Sequence, residues 1–323
     1  MNALITGISG FVGGHLADHL LAAGDMVLGA TRDGRWLPDF SLPIPLVAWE
    51  LGAEEAASDL CDRIATFAPD VIYHLAALSI PADCGAAGEP TAAALALNVD
   101  GVRRVLSLAQ RLPKRPRIVF TSSSKVYAPI DPAKPKVAED FPCAPTTAYG
   151  RSKLLAEQVC EEAARSAADI VVVRSFNQAG PRQDPRLMLA EWAIRMAQGE
   201  PAMEVGGLQV SLDLLDVRDG VRALRKLTLL GTSGAVYNLG SGTSRTTGDV
   251  YRSLERAVGR ACPVRERDPC PRVEPIADLS RLQSVIDWKP EVPLDRTTTD
   301  VWNYWRLRVD ERRRAAAQQA AQQ

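Results

Sequence analysis

The stretch "ALITGISGFVGGHLADHLLAAG", residues 3–24, presents a strand, a turn and a helix in immediate succession. Residues 3–6 are a short apolar run, and residues 11–24 place apolar side chains at helical spacing until Gly24 stops them. Between the two lie Gly7, Gly10 and Gly13. Glycines so placed permit a tight turn, let backbone N–H groups approach a diphosphate, and let the helix pack close to the strand. The helix N-terminus adds about half a positive charge directed at the same point. Tight turns of every kind collect glycines, so the pattern gains its force from standing between a first strand and an amphipathic helix. It predicts a dinucleotide site at the start of the chain.

The strand–helix rhythm continues outward from there. "MVLGAT" (26–31) reads as a strand, 54–69 as a helix, "DVIYHLAA" (70–77) as a strand and 90–112 as a long helix. "RIVFTSSS" (117–124) is again a strand, 147–166 a helix and "DIVVVRSFN" (169–177) a strand. Repeated βα units with nearly continuous apolar strands predict an α/β fold, a Rossmann-type doubly wound parallel sheet covered by helices on both faces. After Asn177 the rhythm weakens and Pro and Gly become frequent. The expected organisation is a dinucleotide-binding domain at 1–176, a smaller mixed α/β substrate lobe at 177–310 with some segments returning to the first, and a polar tail at 311–323. A cleft between two such lobes is the default ligand site.

Composition narrows the function classes. Of 323 residues 46% are hydrophobic and 24% charged, with a formal net charge of -1, which gives no global electrostatic case for nucleic acid or an anionic membrane. Six cysteines without a C-x-x-C pair and three histidines do not form a zinc pattern, so no metal is expected. No run approaches the ~18 apolar residues of a membrane span, and the N-terminus shows no basic leader. The expectation is a cytoplasmic protein with free thiols.

The end of the second strand bears on the cofactor. An acidic residue there would bind the ribose hydroxyls of NAD, whereas this chain has Thr31 and Arg32, with Asp33 one step beyond. Arg32 pairing with a 2′-phosphate favours NADP(H) over NAD(H); the alternative leaves Arg32 in solvent and gives the ribose to Asp33. Further on, Tyr149 and Lys153 lie four apart on an expected helix and so share a face. A lysine ammonium near a phenol lowers its pKa, suiting it to exchange a proton with an alcohol or ketone while a nicotinamide exchanges hydride.

The order GxxGxxG, "HLAA", "SSS-x-VY", YxxxK and "RSFN-x-x-GP" resembles the extended short-chain dehydrogenase/reductases that act on nucleotide-diphosphate sugars, from Ala3 to about Trp305. The resemblance implies a Ser–Tyr–Lys catalytic group of Ser123, Tyr149 and Lys153. It assigns the pyrophosphate to Gly7, Gly10, Phe11, Val12 and Gly13, and cofactor contacts to Glu50, Leu51, Leu75, Ala76 and Ala77. Asn98 is read as support for the site, and His74 as a buried strand histidine. Ser122 is expected on the opposite face of its strand. For the substrate the resemblance implies Ser124, Asn177 and Val205, with Arg182 and Arg272 as phosphate candidates. Leu212 stands where the family has an arginine on the nucleotide phosphates. A homodimer built on the helices around 91–108 and 154–164 is also implied.

Lys125 occupies the place where the family's 4,6-dehydratases hold a carboxylate, and a cation there is a poor base, so that reaction is disfavoured. The second-lobe motifs are most similar to reductases of GDP-4-keto-6-deoxy-mannose. A carbonyl reductase is therefore expected, with Tyr149 as proton donor; a 4-epimerase with bound NAD and a non-catalytic NADP-binding regulatory protein are the alternatives.

Overall fold

The computed structural model describes residues 1–36, 42–53, 55–86 and 88–321. Its centre is a seven-stranded sheet in the spatial order Val236–Leu239, Ile170–Ser175, Arg117–Ser123, Val71–His74, Asn2–Thr6, Met26–Thr31, Leu46–Ala48. Every neighbouring pair is parallel. Side chains alternate along these strands between two cores: Ile5, Tyr73, Val119 and Val171 on one face, Leu4, Ile72, Ile118 and Val172 on the other. Burial on both faces explains why the strands read as unbroken apolar runs. The strand order reverses direction between Asn2–Thr6 and Val71–His74, and the crevice at such a switch point is where open parallel sheets bind ligands.

The three-residue edge strand Leu46–Ala48 was not expected from the sequence, being too short to show a period. The helix expected at 54–69 forms as Ser58–Phe67, and Glu54 lies outside the described residues. The long helix of 90–112 is interrupted: Ala92–Leu95 passes through a π-helical turn, Ala96–Asp100, into Gly101–Arg111. Such turns widen the helix by one residue and recur at functional sites; this one carries Asn98.

A smaller sheet follows. Val210–Asp216 pairs antiparallel with Ser244–Thr246 and parallel with both Arg272–Val273 and Asn177–Ala179. Helices Met188–Gln198, Thr247–Val258 and Leu294–Ala321 enclose a third core around Trp192, Tyr251 and Val301. The stretch between the two sheets returns to the first lobe: helix Val217–Leu230 packs on helix Phe11–Ala22, and Val236–Leu239 completes the large sheet. The expected polar tail continues the last helix to Ala321, with Gln322 and Gln323 outside the described residues. No helix among the described residues is long and apolar enough to cross a membrane.

Candidate active site

The glycine turn is shaped by the absence of side chains. Gly7 has φ +71°, and a Cβ there would sit 2.8 Å from the Ala76 backbone; a Cβ on Gly13 would come within 2.2 Å of the Gly7 carbonyl oxygen. Gly10 caps the helix Phe11–Ala22 without a side-chain hydrogen bond, and the first turn, opened by Phe11 and Val12, holds no acidic residue. The N–H groups and dipole of that turn are thus directed at whatever anion lies before them. A bare backbone cradle at a positively polarised helix end fits the diphosphate of a dinucleotide.

Neighbouring segments close around it. Leu75 N donates to the Thr6 carbonyl at 3.3 Å and Ala76 N to Thr6 Oγ1 at 3.4 Å, which carries Leu75–Ala77 across the turn. Thr31 ends the adjacent strand, and its buried Oγ1 has no partner among the described residues. Arg32 and Glu50 form an ion pair of 3.1 Å, with the Arg32 side chain 78% exposed. Asp33 accepts from Arg35 N at 3.1 Å, so its carboxylate serves its own turn. Leu51 is buried, and its carbonyl accepts from Arg104 at 2.6 Å.

Tyr149 and Lys153 stand on helix Ala148–Arg165, which Thr147 caps by accepting from Gly150 N at 3.1 Å. A Cβ on Gly150 would fall 2.2 Å from the Lys125 carbonyl oxygen, so glycine is what lets this helix start against the turn that follows Ser123. The Ser123 hydroxyl accepts from Lys125 N at 3.2 Å and itself reaches the Tyr149 phenol. Burial pushes that phenol up to about 12, and the Ser123 hydrogen bond pulls it partly back. Lys153 Nζ donates to the Thr121 carbonyl at 2.8 Å and lies 4.9 Å over the Phe120 ring; desolvation brings it down to about 8. The expectation that the phenol is lowered is therefore corrected: burial is the largest influence on Tyr149 and raises it, while one donor of the Lys153 ammonium goes to Thr121.

His74 donates or accepts at Nδ1 with Thr6 Oγ1, 2.8 Å away, and stacks on Phe120. Burial and the Lys153 charge drive it down to about 3, so it is a neutral buried strand residue. Asn98 holds Leu78 through both backbone groups, at 2.8 and 3.1 Å, and donates to Ser152 Oγ at 2.9 Å. It thereby ties the loop after His74 to the Tyr149 helix. Ser122 turns away from the site, donating to Glu157 at 2.5 Å, and Glu157 pairs with the buried Arg174 at 2.8 Å.

Across the cleft, Ser124 begins a short 3-10 turn, Ser124–Val126, and is buried. Lys125 Nζ lies 2.8 Å from Glu274 Oε1, while Asn177 Nδ2 donates to Glu274 Oε2 at 3.2 Å and to the Asp213 carbonyl at 3.2 Å. Glu274 was not singled out in the sequence; nothing local marks it, and strand pairing alone brings it here. Arg182, at φ +71°, pairs with Asp18 on the first helix at 2.6 Å, so its guanidinium faces that helix. Val205 is buried in the strand Met203–Val205. Arg272 is largely exposed and pairs with Asp268 at 3.4 Å. Leu212 is buried in the small sheet; the adjacent Asp213 accepts from Ser241 N, Gly242 N and Ala277 N and so staples loops rather than facing the cleft.

The sequence profile of the NAD dependent epimerase/dehydratase family matches residues 3–240. The chain is similar to a GDP-6-deoxy-D-mannose reductase of Pseudomonas aeruginosa, 29% identical over 95% of this chain and 98% of that protein. It is also similar to a UDP-glucose 4-epimerase of Mycolicibacterium smegmatis, 30% identical over 91% of this chain and 95% of that one. Among solved structures, RMD from Pseudomonas aeruginosa complexed with NADPH superposes with a TM-score of 0.79 at 26% identity, covering 95% of this chain and 98% of the other. With the glycine cradle, the strand-end serine and the Tyr149/Lys153 helix all in place, the chain belongs to the NAD dependent epimerase/dehydratase family of nicotinamide-dependent enzymes.

Proposed function

We propose that this protein reduces the 4-keto group of a nucleoside-diphosphate 6-deoxy sugar, a GDP-4-keto-6-deoxy-mannose reductase-like reaction, with NADP(H) favoured over NAD(H). The observation that carries the reading is the placement of Ser123, at the end of a central strand of the large sheet, beside the helix Ala148–Arg165 that bears Tyr149 and Lys153, with burial raising the Tyr149 phenol. Gly7, Gly10, Phe11, Val12 and Gly13 would hold the dinucleotide diphosphate, Thr31 and Arg32 its adenosine end, and Leu75–Ala77 its inner face. The bound nicotinamide supplies the hydride. Tyr149 gives its proton to the carbonyl oxygen, Ser123 orients that oxygen, and the Lys153 ammonium offsets the negative charge left on the phenol.

Ser124, Asn177, Val205, Arg182 and Arg272 are the substrate residues of this reading, with Arg182 and Arg272 weakened by their ion pairs to Asp18 and Asp268. Lys125 supports reduction over dehydration: the carboxylate it pairs with, Glu274, is held in that ion pair and shared with Asn177. The similarity to a reductase of a GDP sugar across nearly its whole length points the same way. A 4-epimerase with retained NAD is the second reading, favoured by the comparable similarity to a UDP-glucose 4-epimerase. The presence of both Tyr149 and Lys153 speaks against the non-catalytic regulatory alternative. Leu155, 41% exposed, shares a surface groove with Leu95 and Val99, which accords with a homodimer through these helices. Six free thiols accord with the cytoplasm.

The test is the loss of reduced-nicotinamide absorbance with 4-keto sugar nucleotides. Stoichiometric consumption of NADPH is expected. Interconversion of UDP-glucose and UDP-galactose without net cofactor turnover would establish the epimerase instead, and no turnover with any sugar nucleotide would overturn both.

A further inference from the structure

The strands Arg117–Ser123 and Ile170–Ser175 are parallel neighbours that end level with one another, Ser123 opposite Ser175. Lys125 and Asn177 therefore each lie two residues past a strand end, at one edge of the large sheet. The backbone fixes Lys125 beside the catalytic group: its N–H donates to the Ser123 hydroxyl at 3.2 Å, and its carbonyl abuts Gly150, the residue after Tyr149. Glu274 comes from the small sheet, just after the strand Arg272–Val273, with its N–H donating to the Ser211 carbonyl at 2.8 Å. One carboxylate oxygen takes Lys125 Nζ at 2.8 Å and the other takes Asn177 Nδ2 at 3.2 Å.

The Lys125 and Glu274 side chains are 32% and 31% exposed, so each keeps surface that a ligand can reach. Each also keeps hydrogen-bonding capacity. An ammonium has three donors, of which Glu274 takes one among the described residues, and a carboxylate accepts at about four lone-pair sites. The neighbouring charges add nothing to the balance: Arg272 pairs with Asp268 at 3.4 Å, and the Asp213 carboxylate is taken by the N–H groups of Ser241, Gly242 and Ala277. Sugar hydroxyls both donate and accept, so an ammonium and a carboxylate side by side serve them together. A carboxylate on the sugar meets a different site. The charge of Lys125 is already answered by Glu274, and the newcomer is brought against a like charge.

We propose that Lys125 and Glu274 select the sugar by charge: the pair hydrogen-bonds the hydroxyls of an uncharged sugar and rejects one that carries a carboxylate. This rests on the nucleotide-sugar reading above and adds to it the class of sugar. Glu274 is the discriminating residue, because without it Lys125 would attract the group that the pair refuses.

The experiment is titration calorimetry on the NADPH complex of the intact protein with two matched pairs, GDP-mannose against GDP-mannuronate and UDP-glucose against UDP-glucuronate. None carries a 4-keto group, so none consumes the cofactor, and the members of a pair differ only at C6. In the pair with the preferred nucleotide, the neutral sugar is expected to bind about tenfold more tightly or better. Glu274→Gln, which keeps an acceptor for Asn177, should weaken the neutral sugar several-fold and strengthen the uronate about tenfold. In Lys125→Met/Glu274→Gln that gain should vanish, since the attracting ammonium is gone; a merely structural pair would lower both sugars alike. Should Glu274→Gln not fold, Lys125→Met reads the pair with the opposite sign, widening the preference for the neutral sugar. An unchanged ratio within both pairs, or a parent that prefers the uronate, overturns the selection and leaves the reductase reading standing. A parent that binds NADPH and none of the sugar nucleotides overturns the nucleotide-sugar reading, and this inference with it.

Discussion

At the mouth of the large sheet an anion is met by bare backbone, where Gly7, Gly10 and Gly13 leave no room for a Cβ. On the small sheet, Asn177, Arg245 and Arg272 project from one face, which is lined by side chains rather than by bare backbone. The first device is local: one strand, one turn and one helix supply it, and almost any substitution intrudes on it. The second is assembled by register from segments far apart in the chain. Its charge can therefore move from one strand to a neighbour without changing the geometry of the face. Backbone recognition constrains residue types at fixed spacing, whereas side-chain recognition constrains only the place that a charge reaches.

The largest effect should come from the residue between these regions. Tyr149→Phe is expected to lower the reduction rate by about 10²- to 10⁴-fold, the usual yield of a positioned proton donor, while NADPH binding stays near that of the parent. A variant that keeps most of its rate in a steady-state assay would remove the phenol from the proton-transfer step. Next comes the backbone cradle. Gly13→Ala drives a Cβ against the Gly7 carbonyl, and NADPH affinity should fall by about tenfold or more with GDP binding retained. If GDP binding falls equally, the two regions are not independent and the contrast drawn above breaks.

Glu274→Gln probes the link across the cleft. It removes the charge that holds Lys125 while keeping an acceptor for Asn177. KM for the keto sugar nucleotide should rise several-fold, about the value of one ion pair at a partly exposed site, with kcat little changed. A fall in kcat larger than the rise in KM would place the carboxylate in the chemistry. The smallest effect concerns cofactor choice. Arg32→Ala should weaken NADPH about tenfold and NADH hardly at all, because only the former carries the extra phosphate. Glu50→Gln, which frees Arg32 from its ion pair, should strengthen NADPH a few-fold. Equal changes for both cofactors would make Arg32 a bystander.

Where spacing is short-range, the reading from sequence carried through. The strand Met26–Thr31 forms over the expected residues, and Ser122 turns from the site while Ser123 faces Tyr149, as strand alternation requires. The behaviour of Lys153 was not legible, because its preference for the Thr121 carbonyl depends on how deeply the helix beds on the sheet. The π turn at Asn98 was equally hidden: its sequence is a good helix, and the widening answers to the loop at Leu78 that Asn98 must hold. Arg182, a cation at a suggestive spacing, pairs with Asp18 on the first helix, a contact that spacing alone does not reveal.

By itself the sequence determined the parallel α/β architecture and the glycine turn, and it singled out Tyr149 and Lys153, because these are written in the alternation of apolar strands and helices and in spacings of four residues or fewer. Only the tertiary structure decided that Glu274 pairs with Lys125 and shares Asn177, and that Arg245 stands opposite Leu212. Those relations depend on strand register across the cleft, and register is set by packing of whole elements rather than by any residue's immediate neighbours.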